Sequence, residues 1–282
     1  KDDQKLGQQY ESITGAMTVF YDGKERTLSE MARYLEEQDR GRREQAWTLT
    51  QARRFKDQDR IDDIYQKMIA KRDRIARNAG FSDYRDYSFL NRERFDYTPA
   101  DCELFHAAIE KYVVPLARRV QERRREAMGL DVLRPWDMAV DAEGRQPLRP
   151  FRTVGELIRK GRDTLARVDP TFGENFQMMV NLDLFDLASR PGKAPGGYQT
   201  TFEERRVPCI FTNAAGLQND IITLLHEGGH AFHTIQSRTQ RMIWYRHASM
   251  EFSEVASMTQ ELFGNGHAGV FYPDPEQAAR AM

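Results

Sequence analysis

Apolar and polar positions alternate along most of this chain with a helical beat, and the exceptions are confined to a few short stretches. Met17 to Thr27 places β-branched and aromatic residues on either side of Asp22-Gly23, the signature of a hairpin. From Leu28 the pattern turns helical. Ser29 caps a helix through Leu35 that Arg40-Gly41 ends, and a long charged helix is predicted from Arg43 to Asn78, stopped by Gly80. Its apolar positions, Ala46, Trp47, Leu49, Phe55, Ile61, Ile64, Tyr65, Met68, Ile69 and Ile75, are spaced for one buried face. An aromatic-rich segment follows from Phe81 to Tyr97. Thr98-Pro99 then opens another helix with good N-cap and N1 chemistry, running to about Met128 before Gly129. Leu130 to Arg152 lacks periodicity and holds three prolines, so it reads as a connecting loop with Trp136 as its packing anchor. Helices resume over Thr153–Val168 and Phe172–Leu182. The loop divides the chain into residues 1–150, a hairpin and helical lobe, and residues 151–282.

The second part changes period twice. Arg190 to Tyr198 is a glycine-rich turn, but it fits neither phosphate-binding glycine pattern, and no helix follows it directly. Tyr198–Phe202 and Val207–Thr212 instead read as two strands, and Pro208 in the second is tolerated best on a sheet edge or at a strand start. An edge strand there lets an extended peptide add by backbone hydrogen bonds; two strands that only pack together fit the pattern equally well. Leu217, Ile221, Leu224, Leu225, Ala231, Phe232 and Ile235 then mark a helix with a buried face. A further helix spans Ser249–Phe263, with Phe252, Val255, Met258, Leu262 and Phe263 on its apolar side. The fold expected is mainly α-helical, with a small sheet beside the first of these two helices.

That helix carries His226-Glu227-Gly228-Gly229-His230. Histidines four apart project from one face, one turn from each other, so two neutral imidazoles can share a zinc ion, with Glu227 placed to act as general base on a water there. The five-residue string alone fits equally a helix bearing two solvated histidines. Two neighbours favour the metal. Gly228 and Gly229 together cost a helix about 2 kcal/mol relative to alanine, which suggests a close approach to the backbone. Glu254 follows His230 by 24 residues, room for a loop and a return helix, on a segment whose apolar pattern would leave its carboxylate costly without a partner. Two histidines, one glutamate and an open fourth position describe a catalytic zinc site. Glu251 and Glu261 share roughly the Glu254 face and are candidates to orient a ligand imidazole.

The strings H-E-G-G-H-A-F-H and E-F-S-E-V-A-S-M-T-Q-E together resemble the thimet oligopeptidase and oligoendopeptidase F family of zinc metallopeptidases. The resemblance implies a helical zincin-type fold, one zinc ion per chain held by His226, His230 and Glu254, and Glu227 as the catalytic base. Gly229, His233, Ser257 and Glu261 also match the motif, whereas Gly228 stands where many members carry a larger residue. The turn and strands just upstream resemble the family's cleft wall, which makes Gly197, Tyr198, Cys209 and Ile210 candidates for substrate binding. In that family, tyrosine and histidine residues well beyond the third ligand assist the reaction. Tyr245, His247 and His267 do not occupy those positions, so residues 151–282 are expected to be the first part of a catalytic region whose C-terminal remainder is missing.

Composition narrows the partners. Net charge is −1 with 30% charged residues, and the basic run Arg118–Glu126 is interleaved with glutamates, so neither nucleic acid nor an anionic membrane is indicated. The two cysteines, Cys102 and Cys209, form no C-x-x-C pair or disulfide framework. No apolar run has the length of a membrane span and no signal-peptide core is present, so a cytoplasmic location is expected. The expected function is zinc-dependent endopeptidase hydrolysis of short peptides. A dipeptidyl-carboxypeptidase-like enzyme with the same ligand spacing, or a non-catalytic zinc- and peptide-binding fragment, are the alternatives.

Overall fold

The computed structural model describes all residues from Lys1 to Met282. They form two compact units, Lys1–Glu25 with Tyr34–Pro147, and Arg26–Arg33 with Leu148–Met282.

The first unit is helical. It opens with α1 (Asp2–Gly15), which the sequence pattern did not announce, and the hairpin β1 (Thr18–Tyr21) and β2 (Lys24–Thr27) follows. Asp22 and Gly23 both take positive φ in its turn. A short α2 (Leu28–Met31) is held by a capping box between Thr27 and Glu30, and belongs to the second unit. The predicted long helix from Arg43 to Asn78 is two helices, α3 (Arg40–Phe55) and α4 (Gln58–Asn78). Arg40-Gly41 therefore lies in the first turn of α3, under the Asp39 cap. The break holds neither proline nor glycine. Asp57 makes it, with its carboxylate accepting hydrogen bonds from Arg53 and Arg60 at 2.6 Å each. Nor is the expected face buried along its length: Ala46 and Ile64 are, but Phe55 is 68% exposed and Tyr65 60%.

After α5 (Tyr84–Asn91), the predicted helix from Pro99 to Met128 is realised as α6 (Pro99–Ala108) and α7 (Val114–Ala127), joined by a wide π turn over Ile109–Val113. Pro115 lacks an N–H and its ring crowds the preceding turn, so a wider turn immediately before it relieves both defects. Trp136 anchors the following loop, its ring 5.3 Å from Trp47. Beside it, Asp137 is fully buried between Arg40 and Arg43. Arg43 also donates to the carbonyls of Glu37, Gln38 and Trp136 at 2.8–2.9 Å, so four hydrogen bonds hold this buried charge.

The second unit carries the site. The hairpin of α8 (Val154–Val168) and α9 (Pro170–Asn181) packs beside a three-stranded sheet of β3 (Phe185–Ala188), β4 (Tyr198–Phe202) and β5 (Val207–Ala214) in the order β3-β5-β4. β3 runs parallel to β5, and β4 antiparallel to it with Thr200 opposite Cys209. The strand bearing Pro208 is therefore the central one, not an edge, and the proline stands at its start. The proline is tolerated because Ile210 donates to Leu184 O at the near end of β3, so the nitrogen of Pro208 points beyond the paired part of that strand. β3 and β4 are the two edge strands. Across the sheet lies α10 (Gln218–Ser237), whose Phe232 stacks on Phe172 at 4.9 Å, and α11 (Met250–Asn265) returns against it. α12 (Pro275–Ala281) completes the unit. Leu157, Leu165, Phe176, Ile210 and Leu224 form its dry centre.

Candidate metal centre

α10 starts where it does because Asp220, in its first turn, turns back to accept the N–H groups of Ala215, Gly216 and Leu217 at 2.8–2.9 Å. Leu224, Leu225, Ala231 and Phe232 then hold the helix to the core, which leaves His226 and His230 half-buried on the adjoining face. Their rings meet edge to face, 4.8 Å between centroids.

α11 delivers Glu254 to the same point. Its Oε2 lies 3.3 Å from His226 Nε2, and its Oε1 3.8 Å from His230 Nε2. One donor atom from each of the three side chains falls within 4.8 Å of the others. Ligands of a tetrahedral zinc ion bound at about 2.0–2.1 Å stand roughly 3.3 Å apart, so the set is a near fit for one small cation. The donor chemistry fits as well. His226 Nδ1 pairs with Glu261 Oε1 at 2.7 Å, which directs the ring proton to that nitrogen and leaves Nε2 as a lone pair on the Glu254 side. Ser257 Oγ donates to Glu254 Oε2 at 3.0 Å and fixes the carboxylate. Glu251 sits exposed in the first turn of α11. Of the two glutamates expected behind the ligands, Glu261 reaches the His226 imidazole.

The close crossing of the two helices depends on Gly229. A Cβ there would lie 2.5 Å from Ser257 Cα and 2.7 Å from the carbonyl oxygen of Ala256, so only glycine lets the backbones touch. Gly228 has no such neighbour, since a Cβ would meet nothing within 4 Å.

Glu227 is only 6% exposed and lies under β4, the Gln199 backbone N–H hydrogen-bonding to its carboxylate. Burial raises its pKa, an effect the nearby His226 partly offsets. Burial likewise lowers the pKa of His230, with His226 adding to the effect, so the imidazole is held in the neutral form a metal requires. Further along, Gln199 Nε2 donates to Thr234 Oγ1 at 3.3 Å, and Thr201 pairs with the same hydroxyl at 3.2 Å. β4 thus lies along the α10 face that bears the histidines.

The other candidates separate by their place in the sheet. Gly197 and the half-exposed Tyr198 begin the edge strand, with Tyr198 stacked on Phe211 at 4.8 Å. Cys209 is on the central strand, its backbone paired to Thr200. Ile210 is 0% exposed and its strand is paired on both sides, so neither its side chain nor its backbone is open to a peptide. The expectation for Ile210 is corrected to a core position. Sequence reasoning gave no role to Ser257 or to the Gln199 amide. A hydroxyl three residues after a candidate ligand is a usable signal for the first; a backbone amide leaves none.

A predominantly helical fold with a small sheet beside the H-E-x-x-H helix defines a zincin-type peptidase class. The family model for peptidase family M3 matches residues 33–280, and the chain belongs to that family. It is 26% identical over 148 residues to Group B oligopeptidase PepB of Streptococcus agalactiae serotype III (strain NEM316), a match spanning 52% of this chain and 24% of that protein. Among solved structures, PZ peptidase A with an inhibitor superposes with a TM-score of 0.94 at 30% identity, over 99% of this chain and 49% of that one. A Bacillus anthracis str. Ames protein provisionally described as an oligoendopeptidase F gives 0.93 at 27% identity, over 99% and 51%. The chain spans about half the length of these solved relatives.

Proposed function

We propose that this chain forms the zinc-binding part of an oligopeptidase that cleaves short peptides at internal bonds. The observation that carries the reading is the convergence of His226, His230 and Glu254 beside a buried Glu227, under the edge strand β4. His226, His230 and Glu254 would hold the ion. Zinc, when bound, supplies a Lewis acid that polarises the scissile carbonyl and makes water a competent nucleophile near neutral pH. A peptide laid on β4 would pair with the outward backbone groups other than the Gln199 N–H, which Glu227 holds, and this would align the scissile bond over the α10 face. Glu227 takes the proton from the attacking water as the oxygen–carbon bond forms, then delivers it to the leaving nitrogen as the carbon–nitrogen bond breaks. Its burial suits both steps, because a raised pKa brings the carboxylate nearer the working pH. The Streptococcus agalactiae relative PepB is an oligopeptidase, which supports the same reading for this chain.

Zinc content and hydrolysis of an internally quenched peptide, both measured on the full-length protein, test the reading. Glu227→Gln should keep one zinc ion per chain and lose turnover by roughly a hundredfold or more, the scale of a lost acid–base group. Full activity in that variant would sink the mechanism. Cleavage of peptides blocked at the C-terminus separates an endopeptidase from a dipeptidyl carboxypeptidase.

A further inference from the structure

A cleft of about 300 Å³ opens at the start of β4, where the edge strand leaves the glycine-rich turn. Gly197 lines it and packs against α10 so closely that a Cβ would fall 2.9 Å from Thr223 Cγ2. Thr223 is one helical turn before Glu227 on the same side of α10, so the cleft lies about 6 Å along the helix from the buried carboxylate. A peptide held along the β4 edge over Glu227 continues into it.

Three side chains lining the cleft, Asn213, Asn219 and Asp220, each keep an acceptor oxygen open. Asn213 Nδ2 donates to the carbonyls of Ala194 and Gly196 at 2.8 and 2.9 Å, which fixes the amide orientation and leaves Oδ1. Asn219 Nδ2 points to Thr223 Oγ1 at 3.5 Å, again leaving Oδ1. Asp220 uses Oδ2 for all three N–H groups of the turn, so its Oδ1 is the oxygen left over. No lysine or arginine lines the cleft, and one carboxylate does. Such a wall favours a group rich in N–H donors and positive in charge, and disfavours a carboxylate.

We infer that this cleft is a specificity subsite that takes a basic side chain, lysine or arginine, of the bound peptide. The inference rests on the proposed peptidase reading, and the test separates the two. The full-length, zinc-loaded protein is given internally quenched peptides of one parent sequence in which each position is changed in turn to Lys, Gln, Leu and Glu. The expected result is one position near the scissile bond where Lys exceeds Glu by about tenfold or more, the scale of a charge-assisted hydrogen bond. Asn219 is exposed and makes only the long contact to Thr223, so Asn219→Lys leaves the fold intact and places a cation on the wall. It should abolish or invert the preference at that position alone. The same Lys and Glu peptides titrated calorimetrically into the Glu227→Gln protein give a readout without turnover, and the Lys peptide should bind about tenfold or more tighter. Cleavage with no Lys preference at any position, or a preference that Asn219→Lys leaves unchanged, overturns the subsite while the peptidase reading stands. Lys-selective binding without cleavage in the unaltered protein supports the subsite and removes the peptidase reading. Absence of both cleavage and selective binding removes both.

Discussion

Two adjacent glycines in the H-E-x-x-H string have opposite reasons to exist. At Gly229 a methyl group collides with the α11 backbone, which no rotamer change can relieve, so Gly229→Ala should cost about 1–3 kcal/mol and weaken zinc binding by displacing Glu254. At Gly228 the added methyl meets no neighbour. Gly228→Ala should raise stability by about 0.5–1 kcal/mol through helix propensity alone. Chemical denaturation of both variants checks the pair, and equal effects would contradict the packing described. Glu261 belongs to the same scale. Removing it frees the His226 ring to turn and to exchange its tautomer, so Glu261→Ala should weaken zinc affinity about 10–100-fold without removing a ligand, measurable by competition with a chelator. The ligand spacing and the need for a carboxylate partner were readable from residue types, as was the demand for close backbone approach. Which glycine meets that demand was not, because sequence says that a backbone is bare and never what lies against it.

Among the elements, helices with caps were legible and breaks without a breaker residue were not. Thr98-Pro99 announces a helix start in the sequence, whereas the gap between α3 and α4 rests on one carboxylate shared by two arginines. Pro208 allowed a sheet edge or a strand start, and the structure takes the second: it is the second residue of β5, beyond the paired end of β3. Periodicity shows which residues share a face and not what covers it: along α6 and α7, Phe105, Tyr112, Leu116 and Val120 keep a helical rhythm yet are 50–65% exposed. Buried Asp137 gives this scale its pH dependence. Burial opposes its ionisation, but hydrogen bonds from Arg40, Arg43 and the Arg134 N–H prevail and hold its pKa at about 2, below the ordinary 3.8. A depressed carboxylate pKa adds stability above its unfolded value and loses it as the pH falls through the folded value. The first unit should therefore lose about 2 kcal/mol between pH 4 and pH 2 from this group. Asp137→Asn should flatten that part of the acid-denaturation curve while lowering stability at pH 7, where Arg43 is left buried without its counter-charge.

At the scale of the whole molecule, the candidate ligands and the cleft lie in one unit, so metal and structure should be coupled unevenly. Zinc at a thousandfold excess over its dissociation constant stabilises the form that binds it by about 4 kcal/mol. Hydrogen exchange should record that gain in α10 and α11 and leave Arg40–Asn78 of the other unit unchanged. Uniform protection across the chain would contradict it. No helix is long and apolar enough to cross a membrane. The M3 assignment covers residues of both units, though every motif that carried the resemblance lies in the second.

The backbone contact at Gly229 works as a fulcrum. It sits one residue from His230 and, across the crossing, one turn from Glu254, close to the axis about which either helix would tilt. A rocking motion of α11 sweeps its far end widely, yet moves a point three residues from the pivot, about 4.5 Å along the axis, only slightly. Were α11 to tilt about this contact, its outer end would travel while the distances among the three donors hardly changed, as the jaws of a pair of pliers travel while the rivet stays still.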